Sequence, residues 1–285
     1  MSIAGGVAQA LLRGQQIGCD TIQIFTKNNN QWRAKPLTDQ EIKAYREHRD
    51  TTGIWPVVAH DGYLINLASP KRDLYRKSLE ALGTEVGRAI ALEIPLLIIH
   101  PGAHLGSGEV EGIQRVVEAL NTILEGTKTS SLMICVETTA GQGSSLGHRF
   151  EHLAAIREGV TQRERLGVCL DTCHIFAAGY EIRGRKPYEQ TIQQLDDVIG
   201  LDQIACIHLN DSQRELGSRV DRHAHIGQGS IGVEGFRLLV NDPRFRRVPM
   251  ILETPKGDDP VASDRRNLAI LRSLVRGRRG DRRVY

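Results

Sequence analysis

Seven runs of β-branched and aliphatic residues, each five or six residues long, recur along the 285-residue chain at 21–25, 56–60, 95–100, 132–137, 166–171, 204–209 and 248–253. Strands this uniformly apolar must be covered on both faces, which helical crossovers do and hairpins do not. The stretches between them supply such helices. Ile113, Val116, Val117, Leu120, Ile123 and Leu124 fall at helical spacing, as do Ile192, Leu195, Val198 and Ile199. The alternation predicts repeated βα units around a parallel sheet, an α/β fold. No Pro-, Gly- or Ser-rich linker interrupts the series, so residues 1–275 are expected to form one domain. The end, 276–285, with Arg276, Arg278, Arg279, Arg282 and Arg283, is expected to be a disordered basic tail.

Seven strands suit a TIM-type (β/α)8 barrel that lacks its first strand, because the first helical pattern begins near Ala4 with no strand ahead of it. The gap between the second and eighth strands would leave two strand edges unpaired. An open doubly wound sheet is the alternative. The longest apolar run surrounds Leu96–Ile99 and falls far short of the roughly 20 residues of a membrane span. Residues 1–6 carry no export pattern, so a cytoplasmic protein is expected. The five cysteines, at 19, 135, 169, 173 and 206, form no CxxC pair and read as reduced core thiols. Thirty-seven basic against 34 acidic residues give +3, too little by itself to announce a nucleic-acid binder.

Six of the seven runs finish on, or one residue short of, a metal-ligand type: His60, His100, Glu137, Asp171, His208 and Glu253. In a barrel these positions converge on the C-terminal mouth, where such folds place their chemistry. His174 follows Asp171 by one turn, and the long segment from Asn210 to about Gly232, without strand or helix pattern, carries Asp221 and His223. Five imidazoles with four carboxylates suit zinc or manganese better than magnesium or calcium. Nine donors are too many for one ion and suit two or three.

Residues 60–68 (HDGYLINLA), 167–174 (GVCLDTCH) and 208–212 (HLNDS) resemble the three signature segments of the endonuclease IV family of apurinic/apyrimidinic endonucleases. Residues 25–28, 100–102, 137–143, 221–223 and 252–254 fall in family order, so the resemblance spans about residues 2–275. It implies a monomeric DNA-repair enzyme that hydrolyses the phosphodiester 5′ to an abasic site in double-stranded DNA, leaving a 3′-hydroxyl and a 5′-deoxyribose phosphate. It also implies cleaning of blocked 3′ ends. The same resemblance implies three zinc ions, with manganese possible at some sites. His60, His100 and Glu137 would hold one; Glu137 as bridge, with Asp171, His208 and Glu253, the second; His174, Asp221 and His223 the third. Such ions supply an activated hydroxide and neutralise phosphate charge, with Glu137 and Glu253 as the catalytic carboxylates. Three divalent ions would triple the +3 formal charge, as a phosphate-binding pocket requires. By resemblance Gln31, Tyr63 and Leu64 would contact DNA and fill the gap left by a flipped abasic nucleotide, with Asn30 in place of an arginine wedge. Thr138 stands where asparagine is common and Gln213 where Lys or Arg is usual.

Other signals point elsewhere. The glycines at 141, 143 and 147 miss GxGxxG by one residue. His104, His148, His152 and His225 read as surface or supporting residues, His48 as part of an exposed helix, and Trp32 as a core or loop anchor. Two rivals stay open: a metal-dependent sugar isomerase or epimerase on a related barrel, using one or two ions, and a non-catalytic damage-binding scaffold.

Overall fold

The computed structural model describes residues 1–276. All seven runs are strands: β1 (Ile22–Phe25), β2 (Val57–His60), β3 (Leu96–Ile99), β4 (Met133–Glu137), β5 (Leu166–Asp171), β6 (Ile204–His208) and, after a small ribbon, β9 (Met250–Ile251). They lie side by side in chain order and every pair is parallel. A doubly wound sheet reverses its order at a switch point; this one does not, and it is a nearly closed TIM-type barrel wall. The helices α1 (Val7–Ile17), α2 (Asp39–Thr52), α3 (Arg72–Ala91), α4 (Glu109–Gly126), α5 (Phe150–Gly159), α6 (Thr172–Ala178), α7 (Arg185–Val198), α8 (Gly232–Val240) and α9 (Pro260–Leu274) form the outer layer. None of the described helices is long and apolar enough to cross a membrane.

Strand periodicity positions the site. Cys135, Cys169 and Cys206 join Val58, Ile98 and Ile251 in a buried cluster inside the wall. Each cysteine precedes a donor by two residues, so Glu137, Asp171 and His208 point to the same inward side, one layer higher. Register then staggers them: Asp171 is level with His208, whereas Glu137 is level with Cys169, two positions lower on the neighbouring strand. The cysteines are free thiols.

The expected gap lies between β1 and β9, which share no ladder, but its edges are not open to solvent. The Met1 ammonium donates to the Gln23 carbonyl, and Gln23 Nε2 reaches across to Glu253 Oε1 at 2.6 Å. From α9, Arg272 donates to the Gly18 carbonyl (2.6 Å) and Asp20 (2.7 Å), and Arg265 to the Gln16 carbonyl (2.7 Å). A cavity of about 70 Å3, lined by Met1, Cys19, Met250, Leu252 and Leu271, remains along the seam.

Three local expectations are corrected. The first helix starts at Val7, not near Ala4, because Gly5 and Gly6 adopt φ of 83° and 110°. His48 is half-buried, its Nδ1 3.1 Å from the Ala8 carbonyl. The segment after Asn210 contains an antiparallel ribbon, β7 (Asp211–Ser212) with β8 (His223–Ala224), pinned by Asp211, which accepts from the N–H groups of Gly227, Gly229 and Ile231. Of the basic tail only Arg276 falls within the described residues.

Candidate metal centre

All nine predicted donors meet at the mouth of the barrel, around Glu137. This carboxylate, fully buried at the end of β4, lies 3.0 Å from His60 Nε2, 3.1 Å from His100 Nε2, 2.8 Å from His208 Nδ1 and 3.4 Å from His174 Nδ1. Asp171 caps α6 by accepting from the His174 N–H (2.8 Å), which sets His174 one turn above it. The β7–β8 ribbon brings Asp221 and His223 over the same basin: Asp221 lies 3.1 Å from His174 Nε2 and 3.3 Å from His223 Nε2. Glu253, just past β9, lies 3.1 Å from His208 Nδ1.

The proton positions test whether cations belong here. His60, His174 and His223 each place Nδ1 on a main-chain carbonyl, of Asp61 (2.9 Å), Thr138 (2.8 Å) and Glu253 (3.0 Å). His208 places Nε2 on Gln23 Oε1 at 2.8 Å, and the Gln23 amide is oriented by its bond to Glu253, which only accepts. Carbonyl oxygens cannot donate, so these nitrogens carry the hydrogen and the opposite nitrogen of each neutral ring carries a lone pair. All four lone pairs face carboxylate oxygens, and the Nε2 atoms of His174 and His223 face each other at 3.5 Å. Lone pair against lone pair repels unless a cation lies between. Imidazoles tied at one nitrogen and open at the other, amid carboxylates, fit zinc or manganese.

The titration behaviour has the same cause. Burial alone would lower the pKa of His60, His174 and His208; the carboxylates around them, Asp61 and Glu137, Asp171 and Asp221, and Glu253 and Glu137 respectively, carry all three well above the usual histidine value. Burial would raise Glu137 and Glu253, yet the imidazoles, His208 foremost, hold both far below the ordinary range. The basin is an anionic field that demands positive charge, as protons or as metal.

Of three residues that support this basin, Gln23 and Asn210 carry no role in the sequence reading, and Thr138 enters it only as standing where asparagine is common. Gln23 bridges His208 and Glu253. Asn210 donates to Asp171 (2.6 Å) and accepts from the Glu253 N–H (2.8 Å). Thr138 accepts from the Asp171 N–H (2.9 Å). Gln23 had a signal: a lone amide among the aliphatics of β1, buried on the inward side.

At the rim, Tyr63 is 65% exposed and meets Phe25 edge-on at 5.5 Å, and Phe25 in turn lies 5.7 Å from His60. Asn30 and Gln31 are exposed on a turn that packs on Gly62, and Leu64 is half-buried beside Tyr63. Gln213 is exposed, its Nε2 on the His223 carbonyl (2.8 Å). Trp32 is half-buried against the core. Away from the basin, His148 and His152 cluster with Glu109, where Arg149 donates from Nε to His152 Nε2 at 3.0 Å and pairs with Glu109, so a cation already occupies that group.

A family model described as a xylose isomerase-like TIM barrel matches residues 12–274. The chain is 57% identical over 277 residues, 97% of each protein, to one from Chloroflexus aurantiacus named "Probable endonuclease 4". It superimposes on the crystal structure of endonuclease IV from Thermus thermophilus with a TM-score of 0.86 and 37% identity, covering 96% of both chains. A D-psicose 3-epimerase shares the barrel at a TM-score of 0.68 and 15% identity over 95% of this chain and 94% of that one.

Proposed function

The chain belongs to the endonuclease IV family, and from that premise we propose that it is a metal-dependent DNA-repair nuclease that incises double-stranded DNA 5′ to an abasic site, leaving a 3′-hydroxyl and a 5′-deoxyribose phosphate, and trims blocked 3′ ends. The observation that carries the reading is the set of ring nitrogens that face carboxylates in one basin, those of His60, His100 and His208 on Glu137 and that of His174 on Asp221. We assign three ions, zinc foremost: His60, His100 and Glu137 to the first; Glu137, Asp171, His208 and Glu253 to the second; His174, Asp221 and His223 to the third. A sugar isomerase with one or two ions would leave the last group without a task.

When bound, divalent ions there acidify water and neutralise the oxygens of a phosphodiester. The protein's own groups do the rest. Glu137 holds two of the donor groups in one frame. Glu253, ionised beside His208 and fixed through Gln23 and Asn210, orients the attacking water. Tyr63 on Phe25, with Gln31, Leu64 and Asn30, fills the stack from which the abasic nucleotide has turned out; lacking a base, that nucleotide costs little to extrude. Purified protein incubated with a duplex holding one tetrahydrofuran abasic analogue should cut it once, 5′ to the lesion, lose that activity to a chelator and regain it with zinc. A protein that holds three zinc ions but leaves the duplex intact overturns the reading.

A further inference from the structure

The turn that carries Asn30 and Gln31 is gripped from below by charges the proposed reaction does not use. Residues 26–35 hold no helix or strand, so their main-chain groups need outside partners. Arg88, in the last turn of α3, donates from Nε (3.0 Å) and Nη2 (2.5 Å) to the Thr26 carbonyl and from Nη1 to the Lys35 carbonyl (2.6 Å). One guanidinium thus ties the two ends of the segment together. In the middle, Lys27 Nζ donates to the Gln31 carbonyl at 2.7 Å and pairs with Glu85 Oε1 at 3.1 Å, with side chains only 4% and 1% exposed. Thr26 Oγ1 donates to the other Glu85 oxygen at 2.5 Å. Gly62 lies directly over this pair: a Cβ there would stand 3.1 Å from the Asn29 carbonyl and 3.4 Å from Lys27 Nζ, so the strand end leading to Tyr63 rests on the same grip.

A buried ion pair costs desolvation that an apolar pair avoids, so stability is a weak account of why one is here. Geometry is a better one: bidentate and tripod donors permit one arrangement of the turn where apolar packing permits several. We propose that Lys27, Glu85 and Arg88 are positioning residues that lock the 28–31 turn against Tyr63 before DNA arrives, so that recognition of the lesion is not charged the entropy of ordering it. The inference rests on the nuclease reading above. Among the described residues, none of the three is hydrogen-bonded or ion-paired to the nine donors of the metal centre.

Two variants test it in the zinc-loaded full chain. The double variant Lys27→Met, Glu85→Gln removes both charges at similar volume, and Arg88→Met frees the segment ends. Each should weaken binding to the abasic-analogue duplex about tenfold and narrow its preference over intact duplex. Bound zinc and the single-turnover cut at saturating DNA should stay within about twofold of the parent. Arg88→Lys, able to hold one carbonyl, should recover part of the affinity. In a Trp55→Phe background, Trp32 fluorescence anisotropy should fall as the turn loosens. An unchanged preference with a loosened Trp32 overturns the proposal, as does an unmoved Trp32, or a loss of zinc or of the single-turnover rate. Should the double variant not fold, Arg88→Met decides alone. Should the parent protein not cut abasic DNA, the nuclease reading fails, while Trp32 still reports whether these charges hold the turn.

Discussion

Replacing Gln23 by leucine should loosen the metal ions without removing a ligand. Leucine nearly matches the volume, but it takes away the acceptor of the His208 Nε2–H (2.8 Å) and the donor to Glu253 Oε1 (2.6 Å). His208 is fully buried, so its orphaned N–H costs about 1–3 kcal/mol, and the lost bond to an ionised Glu253 is of similar size. The two share one side chain and will not add in full. A net loss of about 2–3 kcal/mol corresponds to roughly 30- to 150-fold in affinity, at the upper end of what is typical when a partner of a metal-ligating histidine is removed. Zinc affinity is read by competition with a chromophoric chelator, and incision is measured at limiting and at saturating zinc. The variant should be weak at limiting zinc and approach the parent when zinc is in excess. Zinc affinity equal to the parent would refute the orienting role. Inactivity that excess zinc does not relieve would refute it from the other side, because Gln23 would then act in the chemistry itself.

Glu137→Gln should cut incision by orders of magnitude and lower bound zinc, since His60, His100 and His208 all converge on this carboxylate; near-parental cleavage in a gel assay would contradict the bridging role. Asn30→Arg should tighten binding to abasic duplex and steepen its salt dependence by about one phosphate contact, with little change in single-turnover cleavage. Tyr63→Ala should reduce the preference for abasic over intact duplex while leaving metal content unchanged, as expected of a ring standing on Phe25 outside the donor set.

The strands were legible because a buried parallel strand must be apolar throughout, and donors such as His60 and Glu137 stood out as the polar residues where each run ends. What was not legible depends on distant or irregular partners. The cover over the seam comes from Arg265 and Arg272, about 250 positions from the carbonyls they meet, and no local pattern announces such pairs. The β7–β8 ribbon has two residues per strand, too few to show a period of two. Gln23 stood out as the lone amide in an aliphatic run, but its task did not, since an amide gains a role only from the two side chains it lies between. Asn30 and Gln31 were assigned to DNA contact by family likeness, whereas the charges beneath them, Lys27 and Glu85, are 58 positions apart and no local pattern pairs them.

The strand β9 meets β6 through only two residue pairs and has no strand on its other side, yet Glu253 follows immediately behind it. One donor of the basin therefore hangs from the part of the wall with the fewest main-chain restraints, the part expected to breathe first. A cation held as proposed between Glu253 and the donors on β4, β5 and β6 would act as a rivet across that weak stave, and its binding energy would become hoop tension for the whole barrel. Amide exchange at Met250 and Ile251 should consequently slow on metal loading more than at the centre of β4, although neither residue is one of the nine donors.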